Sequence, residues 1–221
     1  MKTIRAGGEQ RIPEGHNAGM PDASISPRSG PLFEGVRAGV HSDPESELIR
    51  RIATGDRTAF EQLFHAYHKR ILGYVFRLVG RTEVAEELTD DVMLAVWKGA
   101  GGFKGESKVS TWIFGIAHFR AISSLRRSNP DTVDIEDAGP LSDTHALQDE
   151  VLVRESTVEE VRRALAKLSR LHREVIDLTF YQEFSYPEIA AILNCPVNTV
   201  KTRMFYARKE LREALAEKGR L

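Results

Sequence analysis

The residues from Ser185 to Leu211 carry the pattern that most constrains how this chain folds. They read SYPEIAAILNCPVNTVKTRMFYARKEL, two short helical patterns that meet at a three-residue break. Asn194 and Val200 follow Ala190 by four and ten residues. At this spacing, the small side chain of Ala190 allows the first helix to pack closely against the second. The spacing predicts a helix-turn-helix.

The ends of the two helices carry matching signals. Ser185 followed three residues later by Glu188 matches a capping box, in which each side chain satisfies a backbone N–H at the helix start. Asn194 tolerates the left-handed conformation that ends a helix. Cys195-Pro196 then begins the second helix, since proline suits a first turn.

The second helix has a buried stripe and a basic outer face. Val200, Met204, Ala207 and Leu211 form the stripe, which leaves Lys201, Thr202, Phe205, Arg208 and Lys209 facing outward. Arginine and lysine meet phosphates and guanine edges in the major groove, so the pattern favours DNA binding. An ordinary solvated amphipathic helix is the alternative. The turn, the small residue and the cap together favour DNA.

Charge is segregated along the chain although the net charge is only −1, from 31 basic and 32 acidic residues among 221. Residues 98–127 hold six basic residues and one acidic residue, whereas residues 131–160 hold ten acidic residues and one arginine. This asymmetry indicates a phosphate-facing segment beside one that repels or imitates nucleic acid.

The single cysteine, Cys195, excludes an intramolecular disulfide framework and a multi-cysteine zinc site. A redox switch is one interpretation, because a thiol at a helix N-terminus has a lowered pKa. The favoured interpretation is that Cys195 is a small, partly buried residue that caps the turn. His65 and His68 lie within reach of one metal ion, yet a packed or solvated pair is favoured, so we expect no metal and no cofactor. No stretch resembles a transmembrane helix or a signal peptide, which predicts a cytoplasmic protein without membrane insertion.

Helical periodicity dominates the rest of the chain. Residues 1–42 are rich in Gly, Pro, Ser and Arg and are predicted to be disordered. Order is expected from about Asp43, through helices over ELIRRIATGD, TAFEQLFHAYHKRILGYVFRLVG and TEVAEELTDDVMLAVWKGA. Strand alternation of comparable strength is missing, so the expected fold class is all-α.

A Gly-rich loop and a helix over Phe103–Arg127 interleave aromatic and basic residues, in the sequence FKGESKVSTWIFGIAHFRAISSLRR. Rings that stack on bases beside cations that follow the backbone are typical of single-stranded nucleic-acid binding. Core packing is the alternative, and it is favoured for Trp112 itself.

Taken together, AEELTDDVMLAVWK, the Phe103–Arg127 segment and the terminal helix-turn-helix resemble, in the same order, the extracytoplasmic-function (group 4) sigma factors of the sigma-70 family. The resemblance covers about residues 46–217. It implies two small helical domains, regions 2 and 4, at residues 43–128 and 151–221, joined by a flexible acidic linker at 129–150. It also implies that the chain directs promoter-specific transcription with core RNA polymerase, through the β′ clamp helices and the β flap, and that an anti-sigma factor holds it until a stress signal.

The resemblance places three sets of contact residues. Those expected to read the −35 element in region 4 are Asn198, Thr199, Lys201, Thr202, Arg203, Phe205, Tyr206, Arg208 and Lys209. Those expected to melt and capture the −10 element in region 2 are Phe103, Lys104, Lys108, Ser110, Thr111, Trp112, His118, Phe119, Arg120, Arg126 and Arg127. Those expected to dock on the polymerase are Glu86, Glu87, Asp90, Asp91, Leu94 and Trp97.

Some of these positions depart from the family pattern. Asp90 stands where glutamine is usual, and His118-Phe119 where Arg-Asn is common. Asn198 replaces a glycine, and Tyr206 takes a position that is often arginine. These changes leave the promoter consensus open.

Two other classes remain as alternatives. A helix-turn-helix regulator that binds duplex DNA without joining the polymerase would share the C-terminal motif, but its N-terminal half should be a receiver or ligand domain. An enzyme is disfavoured because the chain carries neither a P-loop nor a G-x-S-x-G motif.

Overall fold

The computed structural model describes residues 43–128 and 155–216. These residues form eight α-helices and a short 3₁₀ turn, without any strand. The first helix group contains α1 (Pro44–Ala53), α2 (Arg57–Val79), α3 (Thr82–Gly99), the 3₁₀ turn (Ala100–Gly102) and α4 (Val109–Ser128). The second helix group contains α5 (Glu155–Lys167), α6 (Arg170–Phe180), α7 (Tyr186–Ile192) and α8 (Val197–Ala216). The all-α expectation is confirmed, while the proposed extension at 1–42 and linker at 129–150 lie outside the described residues.

Short polar side chains and a glycine set the boundaries of the first helices. The Asp43 carboxylate accepts from Glu45 N, and the Asp56 carboxylate accepts from Ala59 N at 3.1 Å, so each aspartate caps a helix start. Helix α2 ends at Gly80, whose φ of 71° suits glycine and whose N–H donates to Phe76 O at 2.8 Å. The first helix therefore begins at the acidic residues after Ser42, as the sequence predicted.

Helix α2 is the centre of the first helix group, and it packs against α1, α3 and α4. Its inward face is fully buried at Leu63, Ile71 and Val75, as its apolar period predicted. Phe60 is only half-buried, with its ring edge-to-face against Trp97 at 5.1 Å between centroids. It therefore lies at the edge of this face.

Helices α7 and α8 form the predicted helix-turn-helix. The Glu188 carboxylate accepts from Ser185 N at 2.8 Å and from Ser185 Oγ at 2.6 Å, which closes the capping box. Asn194 has a φ of 49°, the left-handed conformation expected of it. Helix α8 begins at Val197, immediately after Pro196, whose carbonyl accepts from Thr199 N at 2.9 Å.

The stripe of α8 is buried at Val200, Met204 and Ala207, whereas Leu211 is only half-buried at its far end. All described residues belong to one compact unit. Within it, α4 packs on α7 and α2 meets α6, so the two helix groups share a continuous apolar core.

Replacing Ile71 with alanine should lower the free energy of unfolding by about 2–5 kcal/mol, because it removes a fully buried side chain at the centre of α2. Denaturant titration followed by far-ultraviolet circular dichroism measures this. The matched control is Glu61→Ala on the exposed side of the same helix, with an expected change within about 0.5 kcal/mol. Equal losses in the two variants would contradict this account of the core.

Candidate nucleic-acid and polymerase interface

The outer face of α8 presents most of the residues predicted for duplex DNA. Asn198, Lys201, Thr202, Phe205, Tyr206, Arg208 and Lys209 are exposed, whereas Thr199 and Arg203 are half-buried. Phe205 is 66% exposed, an unusual position for a ring without an external partner. The buried stripe on the opposite side fixes the direction in which these side chains point.

A shallow groove of about 510 Å³ runs along this face. Its charged lining consists of four cations and one carboxylate: Lys201, Arg208, Lys209, Arg212 and Glu213. The Arg208 guanidinium lies over the Phe180 ring, 5.8 Å from its centroid, which holds that cation at the groove edge. The groove therefore combines positive charge with apolar rings, as nucleic-acid surfaces do.

The residues predicted to contact the −10 element lie in the Gly-rich loop and in α4, and some of them are exposed while others are packed. Lys104, Phe119, Arg126 and Arg127 are exposed. Phe103 and Trp112 are half-buried against each other, with ring centroids 5.1 Å apart, so Trp112 has the packing role that was the favoured alternative. Thr111 is 4% exposed and faces the core, where a ligand would not reach it in this arrangement. Ser110 is half-buried.

Helix α3 carries the acidic surface predicted for the polymerase. Glu86, Glu87 and Asp90 are exposed, and Leu94 is 47% exposed beside them. Trp97 is half-buried against Phe60. This face therefore offers carboxylates around one accessible apolar side chain.

An ion pair joins Arg120, which is predicted to contact the −10 element, to Asp91, which is predicted to contact the polymerase. Arg120 Nη1 donates to Asp91 Oδ2 at 3.2 Å, which joins α4 to α3. Both side chains are over one-third exposed, so solvent weakens the attraction. The pair therefore orients the two side chains more than it stabilises the fold.

His118 is placed in a buried polar cluster rather than on an open surface. Its Nδ1 lies 2.7 Å from Glu174 Oε1, and the Tyr74 hydroxyl donates to the same oxygen at 2.7 Å. Arg170 Nη1 lies 3.6 Å from Glu174 Oε2. Glu174 belongs to α6, so the cluster spans both helix groups. Sequence reasoning missed Glu174, which lies within an ordinary helical pattern and belongs to no motif.

The electrostatics of the cluster follow from burial and pairing. Burial raises the pKa of the Glu174 carboxyl, but His118, Tyr74 and Arg170 together outweigh it and leave the pKa lowered. Burial, followed by the charge of Glu174, raises the pKa of the Tyr74 hydroxyl well above its ordinary value. Glu174 is therefore held as an anion with three partners.

A second buried carboxylate, Asp177, lies one turn further along α6. Its Oδ1 is 2.7 Å from Arg77 Nε on α2. Burial raises the pKa of the Asp177 carboxyl to about 6, although Arg77 acts in the opposite direction. Desolvation thus dominates at Asp177, whereas pairing dominates at Glu174.

Cys195 is half-buried in the turn, and burial raises the pKa of its thiol. A raised pKa disfavours the thiolate, which supports the small cap rather than the redox switch. Within residues 43–128 and 155–216, no cluster of three or more His, Cys, Asp or Glu side chains could hold a metal ion. His68 instead stacks on Phe64 at 4.5 Å between ring centroids. Over the same ranges, none of the helices has the length and apolarity needed to cross a membrane.

Family comparisons match both helix groups. Sigma-70 region 2 matches residues 63–130, and Sigma-70, region 4 matches residues 158–211. The RNA polymerase sigma-H factor of Pseudomonas aeruginosa is 30% identical over 182 residues, which cover 78% of this chain and 94% of that protein. The ECF RNA polymerase sigma factor SigW of Bacillus subtilis is 32% identical over 178 residues, covering 76% and 95%.

Solved structures show the same similarity. CnrH, in complex with the cytosolic domain of CnrY, is 26% identical with a TM-score of 0.57, over 79% of this chain and 99% of that chain. The sigma factor RpoE of Bartonella quintana, in complex with the anti-sigma factor NepR, is 26% identical with a TM-score of 0.56, over 71% and 96%.

The fold and the basic second helix of its helix-turn-helix thus define a sigma factor, a protein that directs RNA polymerase to promoters. The chain belongs to the extracytoplasmic-function sigma factors of the sigma-70 family.

The raised pKa of Asp177 predicts a pH-dependent stability. Because the folded carboxyl binds its proton up to about pH 6 and the ordinary value is 3.8, the folded state holds more protons in between. The Asp177 contribution to the free energy of unfolding is thus full below the ordinary value and is lost as the pH rises through about 6. From about pH 5 to about pH 7, the wild type should lose roughly 1 kcal/mol relative to Asp177→Asn.

Denaturant titrations across this pH range measure the difference between the two proteins. Asp90→Asn, at an exposed carboxyl of α3, should keep the wild-type dependence. Parallel profiles for the wild type and Asp177→Asn would contradict the assignment.

Proposed function

We propose that three surfaces of this sigma factor divide promoter recognition and polymerase binding among them. Region 4, at residues 151–221, reads the −35 element through α8. Region 2, at residues 43–128, melts the −10 element through the loop before α4 and through α4 itself, and it docks on the polymerase through α3. The chain acts as a specificity subunit in the cytoplasm and catalyses no reaction itself.

The −35 assignment is supported by the exposed basic face of α8. Lys201, Phe205 and Arg208 line one groove, and the buried stripe holds α8 rigidly against α7. A rigid helix with cations on its outer face fits the major groove, where those cations meet phosphates and guanine edges. The geometry of α8 is the observation that carries the proposed function.

The −10 assignment is supported by the exposed side chains around α4. Phe119, at 53% exposure, offers a ring for base stacking, while Lys104, Arg126 and Arg127 offer cations for the backbone. Thr111 and Trp112 act indirectly, because both pack under this surface and hold α4 in place.

The polymerase assignment is supported by the acidic face of α3. The exposed Glu86, Glu87 and Asp90 surround Leu94, and an apolar anchor within a polar rim is typical of protein interfaces. We assign this face to the β′ clamp helices and region 4 to the β flap.

An anti-sigma factor is the remaining partner that we propose. Both similar structures contain a second protein, and the one on RpoE is named as an anti-sigma factor. The exposed Phe180, Tyr181, Phe205 and Tyr206 would form an apolar patch for such a protein.

Run-off transcription with purified core RNA polymerase and a genomic promoter library tests the −35 assignment. Lys201→Ala and Arg208→Ala should each lower the yield of promoter-specific transcripts by about tenfold, because each removes a phosphate or base contact. Arg162→Ala is the matched control, since it removes an exposed cation of α5 that lies outside both the groove and the proposed contact set.

Specific transcripts that require Lys201 and Arg208 but not Arg162 are the expected result. A chain that binds duplex DNA alone and gives core polymerase no specificity would instead be an ordinary regulator.

Leu94→Asp should weaken binding to core polymerase by about tenfold or more, because it places a charge at the centre of the proposed interface. Competition with a labelled wild-type chain for core polymerase measures the affinity. Leu215→Asp makes the same change at an exposed leucine of α8 and should alter the affinity by less than about twofold. Similar losses in both variants would place the contact elsewhere.

A further inference from the structure

Helix α6 packs against α8 and contacts exposed residues on two sides of it. At the end of α6, the Phe180 ring lies under the Arg208 guanidinium, 5.8 Å from the ring centroid. At the start of α6, the His172 ring stacks on the Tyr206 ring, with centroids 6.4 Å apart and an interplanar angle of 25°. A helix outside the helix-turn-helix therefore supports residues of the face that we propose to read DNA.

His172 is fixed through both its backbone and its ring. Its backbone N–H donates to Ser169 Oγ at 3.3 Å, so it belongs to the capped first turn of α6. Its Nδ1 lies 2.8 Å from Oε2 of Glu210, which follows Tyr206 by one turn of α8. The His172 side chain is only 19% exposed, so solvent has little access to it. A well-held aromatic ring thus lies beside Tyr206.

Tyr206 lies on a different flank of α8 from the cations of the groove. The groove is lined by Lys201 and Arg208 but not by Tyr206. Tyr206 is 47% exposed, and the Phe205 ring meets it edge-to-face with centroids 5.4 Å apart. Aromatic rings attract each other in such geometries beyond the effect of burial, so contacts with two rings limit the orientations of Tyr206.

We propose that Tyr206 selects thymine at one base pair of the −35 element and that His172 positions Tyr206 for this contact. In the major groove, the C5-methyl group distinguishes thymine from the other bases, and apolar and aromatic side chains contact it. One phenol hydroxyl cannot form the two parallel hydrogen bonds by which arginine recognises guanine. The Tyr206 flank of α8 therefore favours thymine. This inference rests on the proposed −35 role of α8.

The contact between His172 and Glu210 has a second consequence for this flank. The Glu210 side chain is 43% exposed, and a carboxylate beside a DNA-reading residue repels the phosphates of the duplex. The imidazole engages this carboxylate at 2.8 Å, which keeps it in contact with α6. His172 thus orients a ring and engages an acidic side chain on the same side of α8.

The test is run-off transcription by core RNA polymerase and the full chain, on a promoter library in which every −35 base pair is randomised. A barcode in the transcribed region identifies each promoter, so sequencing of the transcripts gives the base preference at every position. Tyr206→Arg should shift the preference at one base pair from thymine to guanine by about tenfold, since arginine forms the bidentate contact. Tyr206→Phe should keep thymine, because the ring makes the methyl contact. A wild-type preference for another base at that position would overturn the thymine contact.

The positioning role is tested at the same base pair. His172→Ala should lower the thymine preference there by about fivefold and leave the other −35 positions unchanged. His172→Phe, which keeps a ring beside Tyr206, should stay within about twofold of the wild type, whereas His172→Gln should resemble His172→Ala. His65→Ala is the matched control, since His65 is an exposed histidine of α2 outside the proposed contact sets, and it should change no preference.

A loss of equal size at every −35 position in His172→Ala would mean that His172 only stabilises the fold, and it would overturn the positioning role. If circular dichroism shows that His172→Ala is unfolded, the difference between His172→Phe and His172→Gln is the deciding result. Equal preferences in these two variants would then overturn the role of the ring.

Lys201→Ala and Arg208→Ala separate failure of this inference from failure of the proposed function. Loss of specific transcripts in these two variants, together with wild-type base preferences in Tyr206→Arg, would overturn the Tyr206 contact and leave the −35 role of α8 intact. Unchanged −35 preferences in every α8 variant would overturn the proposed function and this inference with it.

Discussion

The buried charge of Glu174 is the interaction on which the arrangement of this protein depends. A carboxylate taken out of water is costly unless it is paired, and here Tyr74, His118 and Arg170 supply the compensation. Two of these partners lie in the other helix group, so these contacts form only when the groups are together. A small polar cluster thus connects the two helix groups beside the apolar core that they share.

Rigid packing explains how the functional side chains are presented. Val200, Met204 and Ala207 fix the buried side of α8, so its cations and rings project from the opposite face. The same principle operates in α4, where the buried Ile113 and Phe114 hold the helix that carries Phe119 on its outer side. In both cases, an ordinary core residue determines where a residue proposed to contact DNA lies.

Helix α4 contacts both α3 and α6 and also has an exposed basic end, so a substitution in it can affect more than one of these surfaces. Its Arg120 meets the acidic surface of α3, its His118 meets α6, and its exposed end carries Arg126 and Arg127. The surfaces proposed for polymerase and promoter and the contact with the second helix group therefore lie on neighbouring parts of one helix. The departure from the family pattern at His118 belongs to this context, because the imidazole has a partner within the chain.

The sequence by itself determined the helices, their caps and the helix-turn-helix, because these follow from local rules. The period of apolar residues defines each buried face, and Asp56, Ser185 and Asn194 act on neighbouring backbone groups. Family membership followed from motifs in order. Only the tertiary structure decided that Thr111 faces the core, that Asp91 pairs with Arg120, and that His118 meets Glu174 from 56 residues away. Such contacts join residues distant in sequence, and a buried carboxylate within a helical pattern looks like any solvated one until its partners are placed.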